Sequence, residues 1–404
     1  MASILQEITT QEAWEEFLAY RLMKGRFDWR SFNEADSFVE TEGYLPGAED
    51  LSAGGSPGIP QKKLINKMGS EKKRAVYCFD EERMRILKLI AFLLYRYDGV
   101  LCPNCYSFRR GLTAQDAILS LRRSTKGKGL WAYKVDIHDY FNSIDIPILL
   151  SILAEVLSDD VPLLDFFRRM LSDGRAYFDG KIITENHGIM AGTPTSPFLA
   201  DIYLKEVDRH FFDKGVTYAR YSDDIILFAP DEDTLNGHIR TLHAFFGKYR
   251  LAVNPEKERI YRPGEPFEFL GFSCLDGIIG VSNSAKRKMK DRIKRKARSL
   301  RRWGEKKGVP SEVLLRTMIK CFNRKFYDMD TSELLTWSRW FFPVINDTEG
   351  LKEIDHCLQD NLRFLSSGKH NGANFRVRYK DLKSMGYRSL VHEYYLFKEE
   401  SSEQ

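Results

Sequence analysis

The segment Tyr221-Ser-Asp-Asp224 constrains the fold most, because it lies between two apolar runs, Val216-Thr-Tyr-Ala-Arg220 and Ile225-Ile-Leu-Phe-Ala229. Aromatic and β-branched flanks around a short polar pair predict a β-hairpin whose tight turn carries two carboxylates. Folding gains nothing from adjacent like charges, since each makes the other harder to ionise. A divalent cation reverses that sign: Mg²⁺ accepts hard oxygen ligands from one turn and keeps other positions for water and phosphate. Asp is also common in solvated turns, so the pair gains meaning only from a third carboxylate and a path for a polyanion.

The 404 residues leave room for two or three packed subdomains. The composition, 43% hydrophobic and 29% charged, is that of a water-soluble protein. No apolar run nears the ~18 residues of a membrane span. Met1 to Glu16 contains acidic residues and no basic segment followed by a long apolar core, so it does not read as a signal peptide. The expectation is a cytoplasmic chain, apart from membranes, whose six cysteines are thiols. Cys102-Pro-Asn-Cys105 has zinc-like spacing, but no second CxxC or His-rich partner follows it. The net charge of +5 is unevenly spread. From Lys286 to Lys307, thirteen Lys/Arg stand against Asp291 and Glu305, a balance of +11 that leaves −6 for the remainder. Such a run is either a solvated helix face or a surface for a polyanion. Its density favours nucleic acid, with Lys286, Arg287, Lys290, Lys294 and Arg298 as candidate contacts.

Gly and Pro density predicts a loop or linker over Gly43 to Pro60. A basic hairpin over Lys62 to Phe79, turning near Gly69-Ser70, is followed by a helix over Glu81 to Tyr97. Trp131 to Ile137 is a strand candidate ending at Asp136, with a helix beyond it capped by Asp145 and started by Pro147. Leu199, Tyr203, Val207 and Phe211 mark a helix from Thr195-Ser196-Pro197, and Leu235, Ile239, Leu242 and Phe246 mark another after the hairpin. Phe267 to Cys274 and Gly277 to Val281 complete the strands, and the chain is helical beyond Ser284. This order predicts an α+β fold with an antiparallel sheet backed by helices. If the Asp136 strand lies beside the hairpin, Asp136, Asp223 and Asp224 meet at one sheet edge. Two Mg²⁺ ions roughly 4 Å apart would then clamp the attacking and leaving oxygens of a phosphoryl transfer.

These segments carry a resemblance. Val135-Asp-Ile-His-Asp-Tyr-Phe-Asn-Ser-Ile-Asp145, Gly188-Ile-Met-Ala-Gly-Thr-Pro-Thr-Ser-Pro-Phe-Leu-Ala-Asp201 and Tyr221-Ser-Asp-Asp224 resemble motifs A, B and C of reverse transcriptases. Leu251-Ala-Val-Asn-Pro-Glu-Lys257 resembles motif D, and Phe267-Glu-Phe-Leu-Gly-Phe272 the primer grip. Tyr106-Ser-Phe-Arg-Arg-Gly111 is similar to the segment between fingers and palm in bacterial, group II intron-like enzymes. The likeness spans about residues 60 to 300. It implies an α+β right-hand polymerase fold: an N-terminal extension and linker over 1–60, fingers over 61–130, a palm over 131–283 with a fingers insertion about 160–195, a helical thumb over 284–345, and a helical C-terminal extension over 346–404.

The resemblance further implies RNA-directed DNA synthesis from dNTPs with two Mg²⁺ ions, Mn²⁺ being a substitute. Asp136, Asp223, Asp224 and the carbonyl of Ile137 would hold the metals. Phe141 would be the steric gate against ribose, and Lys67 with Arg74 would grip the triphosphate, with Lys72, Lys73 and Arg109 as substitutes. Lys257 would protonate the leaving pyrophosphate. Where motif B usually has Pro-Gln-Gly, this chain has Met190-Ala191-Gly192, so Ala191 and Gly192 face the nucleotide without an amide side chain. Asp201 replaces the usual Asn and Glu258 the usual Thr. Trp303 and Trp337-Ser-Arg-Trp-Phe-Phe342 fit a thumb, and Arg363 to Tyr395 is similar to the C-terminal segments of stand-alone bacterial enzymes. Defence-associated and unknown-group enzymes are the nearest subclass, which implies a dedicated non-coding RNA template, a DNA product and an antiphage role. A homo-oligomer or a partner protein fits this picture. The alternatives are a template-independent nucleotidyl transferase, a group II intron or retron-type retroelement enzyme, and a non-catalytic RNA-binding scaffold.

Overall fold

The hairpin around the paired aspartates is present in the computed structural model, which describes residues 2–24, 29–66, 73–328, 336–368 and 377–402. The described residues form eleven strands: β1 (Gln61–Asn66), β2 (Lys73–Cys78), β3 (Trp131–Asp136), β4 (Arg175–Phe178), β5 (Lys181–Thr184), β6 (Tyr218–Tyr221), β7 (Asp224–Ala229), β8 (Arg259–Tyr261), β9 (Phe267–Phe269), β10 (Phe272–Leu275) and β11 (Ile278–Val281). They pair in the orders β2-β1-β4-β5, β6-β7-β3-β8 and β11-β10-β9. The chain divides into two units, residues 1–117 with 129–263, and residues 118–128 with 264–404.

In the first unit, β6-β7-β3-β8 is antiparallel throughout, as expected. Its central strands are apolar almost end to end, because both faces are covered: Tyr133, Val135, Ile225, Ile226 and Leu227 are buried. The helix Glu232–Lys248 packs on β3 and β7 and buries Leu235, Leu242 and Phe246. Asp145 caps the helix Ile146–Val156 by accepting from the Ile148 N–H at 3.1 Å, with Pro147 in its first turn. The stripe Leu199, Tyr203, Val207 and Phe211 is fully buried. It belongs to two helices, Ser196–Tyr203 and Lys205–Asp213, because the backbone of Leu204 (φ −105°, ψ 13°) interrupts the run.

The basic hairpin β1–β2 is also found, and its turn at Gly69-Ser70 lies outside the described residues. The edge of β1 pairs in parallel with β4 at Gln61 and Tyr177, so the hairpin β4–β5 extends the same sheet. The expected loop over Gly43 to Pro60 contains a helix, Leu45–Ser52. Pro46 sits in its first turn, where a missing N–H costs nothing. Gly47 is a close-approach residue rather than a breaker: a Cβ there would lie 2.9 Å from the Cδ1 of Ile86. Ala48 and Leu51 join the core that also holds Ile4, Trp14, Val135 and Ile225.

In the second unit, the predicted strand Phe267 to Cys274 is two strands, folded back at Leu270 and Gly271, both with positive φ (50° and 88°). In the first unit, the strand β8 escaped prediction because it has three residues between charged neighbours. The basic run forms the helix Asn283–Lys307, capped by Ser282 and closed by Gly308 in the left-handed region (φ 63°). It buries Met289, Ile293, Ala297 and Leu300 against the helices Ser311–Phe326 and Glu349–Ser367.

Leu51 separates the helical reading of 45–52 from the loop reading. Leu51→Ala removes a fully buried side chain and is expected to destabilise the protein by about 2–5 kcal/mol, measured by denaturant unfolding. A change near zero would return the segment to a loop.

Candidate active site

The pairing of β3 with β7 sets Asp136 directly opposite Asp224, and the β6–β7 hairpin leaves Ser222 and Asp223 as its two-residue turn. Three backbone bonds fix this strand end. The Ile137 N–H donates to the Asp223 carbonyl (3.1 Å), the Asn254 N–H to the Asp136 carbonyl (2.8 Å), and the His138 N–H to the Ala252 carbonyl (2.8 Å). Asp136 is 5% exposed. Burial, with Asp136 and Asp224 close by, pushes the Asp223 carboxyl up to about 6. Burial raises Asp224 as well, with Lys134 opposing. Carboxylates held up by burial and by each other are sites where a cation is the stabilising partner.

Two lysines supply positive charge at this strand end. Lys257 Nζ lies 2.6 Å from Asp136 Oδ2, and Lys134 Nζ lies 3.5 Å from Asp224 Oδ1. Lys257 thus sits on a carboxylate, whereas the sequence led us to expect it free to meet a leaving group. Among the described residues, no three His, Cys, Asp or Glu side chains converge as ligands of one metal ion. The expected triad is brought together in backbone register, while Asp136 and Asp224 each have a lysine for a partner. Lys134 went unread in the sequence. Its signal is a lysine two residues before Asp136, on the same face of an otherwise apolar strand. Glu258 finds its explanation here: it accepts from the Tyr133 hydroxyl at 2.8 Å, and that hydroxyl also meets His243 Nε2 at 3.0 Å. The acid ties the residue after Lys257 to β3.

Phe141 follows Asp139, which has a left-handed backbone (φ 45°). Its half-buried ring lies edge-on to Phe108 at 6.4 Å, with Arg74 Cζ 5.9 Å from its centroid. Phe108 also meets Tyr221, which carries contact from Phe141 to the hairpin. Gly188 (φ 53°) packs against this loop: the Ile189 N–H donates to the Phe141 carbonyl at 3.0 Å, and a Cβ on Gly188 would lie 2.8 Å from the Asn142 backbone. Ala191 is buried, and its carbonyl accepts from the Tyr77 N–H at 2.8 Å. Gly192 (φ 105°) would place a Cβ 3.1 Å from the Tyr77 carbonyl. Small residues at 191 and 192 let β2 dock backbone to backbone. Phe108, Asp139, Met190 and Ser222 all have positive φ without being glycine, and such strain gathers at functional sites.

Other predicted residues stand differently. Lys67 and Lys72 lie outside the described residues. Arg74 and Lys73 are exposed on β2. Arg109 is corrected: its guanidinium donates to the carbonyls of Cys102 (2.8 Å), Cys105 (3.2 Å) and Asp98 (3.2 Å), so it holds a loop and is not free for phosphate. In the second unit, Lys286 and Lys290 both pair with Glu353 (2.7 and 2.5 Å), on the face that packs against the helix Glu349–Ser367. Arg287, Lys294 and Arg298 are exposed.

Comparison with known proteins places this geometry in a family. A family model described as reverse transcriptase (RNA-dependent DNA polymerase) matches residues 65–274, just over half of the chain. The Retron Mx65 reverse transcriptase of Myxococcus xanthus is 31% identical over 113 residues, 27% of this chain and 26% of that protein, so the chain matches about a quarter of that relative's length. Among solved structures, apo telomerase from Candida tropicalis shares 14% identity at a TM-score of 0.47, covering 83% of this chain and 68% of that one. Telomerase from Candida albicans in complex with a fragment of telomeric RNA shares 12% at 0.44, covering 86% and 68%. The matched segment contains the β3 carboxylate, the Gly188 to Asp201 stretch and the aspartate hairpin, and the chain belongs to the reverse transcriptase (RNA-dependent DNA polymerase) family.

Proposed function

We propose that this chain is an RNA-directed DNA polymerase that extends a primer with dNTPs. The observation that carries this reading is the register that sets Asp136 against Asp224, with Asp223 in the adjoining turn. The carboxylates fit divalent cations: all are hard oxygen donors, and Asp223 is raised by burial and by its acidic neighbours. Asp136, Asp223, Asp224 and the Ile137 carbonyl would hold Mg²⁺, or Mn²⁺ in its place. When bound, such ions lower the pKa of an attacking hydroxyl and neutralise charge on the leaving pyrophosphate. Lys257, partly exposed and ion-paired to Asp136 at the same strand end, would have to leave that carboxylate to give its proton to pyrophosphate. Phe141, fixed by Phe108 and Arg74, is the gate that excludes a ribose 2′-hydroxyl. Ala191 and Gly192 bound the nucleotide on the side of β2.

In this reading residues 131–283 are the palm, 61–130 with the hairpin β4–β5 the fingers, and 284–345 the thumb. Arg287, Lys294 and Arg298 offer exposed cations to template or product phosphates. The finer reading, copying of a dedicated non-coding RNA in bacterial antiphage defence, is supported by the subclass resemblance. The identity of the RNA that co-purifies with the chain tests it.

Two substitution experiments follow. Asp223→Ala with Asp224→Ala should abolish dNTP incorporation in primer extension while RNA affinity, measured by filter binding, is kept. Undiminished synthesis would remove these carboxylates from the chemistry. Phe141→Ala should reduce discrimination between dNTPs and NTPs by about 10- to 100-fold. Unchanged discrimination would place the gate elsewhere.

A further inference from the structure

Two residues before the Ser222–Asp223 turn stands a fully buried arginine, Arg220. Arg220 Nε donates to both carboxylate oxygens of Asp208 (2.9 and 3.1 Å), and Nη2 donates to Asp208 Oδ2 (2.5 Å), the Asp201 carbonyl (3.0 Å) and Cys105 Sγ (3.1 Å). Nη1 donates to Asp201 Oδ1 (3.1 Å) and to the carbonyl of Ser222 (3.4 Å), the residue that precedes Asp223. The Arg220 backbone is held as well, its N–H donating to the Asn104 carbonyl and its carbonyl accepting from the Tyr106 N–H. One guanidinium therefore links the helices carrying Asp201 and Asp208, the loop at Cys105 and the aspartate turn.

The charges in this core do not balance if both acids are ionised. Asp208 is fully engaged by Arg220 and by the Tyr218 hydroxyl (2.9 Å). Asp201 is 1% exposed, and while its Oδ1 accepts from Arg220 and Ser107 (2.5 Å), its Oδ2 is buried without a hydrogen-bond partner. An anionic oxygen left bare in a core is far more costly than a neutral one. The groups that face Asp201 are Arg220, Asp208, Cys105, Tyr140, Tyr221 and Ser107, of which only Arg220 is cationic.

We propose that Arg220 is a positioning residue for the Ser222–Asp223 turn, clamped between Asp208 and Asp201, and that Asp201 serves in this clamp as a neutral acid. A protonated Asp201 presents to Arg220 and Ser107 the same carbonyl oxygen that an Asn side chain would. Burial pushes its carboxyl up to about 7, which agrees with that state. The sign follows: an acid raised above its unfolded value binds a proton more tightly in the folded protein. Stability therefore falls as pH rises from the unfolded carboxylate range towards about 7, and levels off above it. The inference deepens the polymerase reading and rests on it only for the purpose of the turn.

The test compares Asp201→Asn and Arg220→Lys with the full wild-type chain, using melting temperature and the binding of Mn²⁺ alone. Asp201→Asn removes the titration, so its melting temperature should gain at least about 3 °C on wild type between about pH 5 and about pH 8. Its Mn²⁺ affinity should stay within about twofold, whereas Arg220→Lys, still folded by circular dichroism, should bind Mn²⁺ at least about tenfold more weakly. A pH-independent difference between Asp201→Asn and wild type overturns the neutral acid. Should Arg220→Lys fail to fold, Arg220→Gln combined with Asp208→Asn, which removes the buried cation together with the anion it pairs with, serves instead. Unchanged Mn²⁺ affinity in the folded arginine variant overturns the positioning role. Neither readout needs DNA synthesis, so failure of the polymerase reading would show separately, as a wild type that binds Mn²⁺ and extends no primer.

Discussion

A slip of one residue between β3 and β7 would turn Asp136 to the opposite face of the sheet and disperse the site. The pairing of Asp136 with Asp224 is the constraint on which the rest depends, and the sheet defends it by burial. Val135, Ile225, Ile226 and Leu227 are wholly buried, so any other register would expose apolar side chains or bury charge. The helix Glu232–Lys248 packs on both strands, and β8 adds hydrogen bonds on the far side of β3. A hydrophobic pattern thereby positions three groups that repel one another.

That repulsion organises the surroundings. Lys134 and Lys257 bring charge to the carboxylates, and Glu258 with Tyr133 anchors the chain just beyond Lys257. Beneath the turn, Arg220 gathers Asp201 and Asp208 away from water. Small residues do the complementary work on the other side, where Gly188, Ala191 and Gly192 let backbones approach without side chains between them. The left-handed residues Asp139, Met190 and Ser222 mark where the chain is bent to suit the site.

Most of the frame was legible in the sequence because its signals are periodic or local. The aspartate hairpin, the strand ending at Asp136, the Asp145 cap and the basic helix all follow from alternation, capping chemistry or charge density. Where tertiary context decides, the sequence was silent or misleading. Gly47 and Pro46 looked like loop residues, yet the close approach of Gly47 to Ile86 and the first-turn place of Pro46 give them helical roles. Arg109 looked like a free cation near a phosphate site, and only the fold shows three carbonyls around it. Lys286 and Lys290 could not be told from Arg287 until the helix had a partner carrying Glu353. Arg220 and Lys134 were visible as charges inside apolar strands, a signal that deserves to be read as a buried partner rather than as noise.

The central claim is that these carboxylates serve synthesis of DNA on RNA. Its most direct measurement is sequencing of the DNA that the purified chain makes from dNTPs when given a primed RNA of known sequence, with Mg²⁺ present. The account predicts a product complementary to that RNA, extended from the primer end. A product unrelated to the template would contradict it and would make the chain a template-independent transferase.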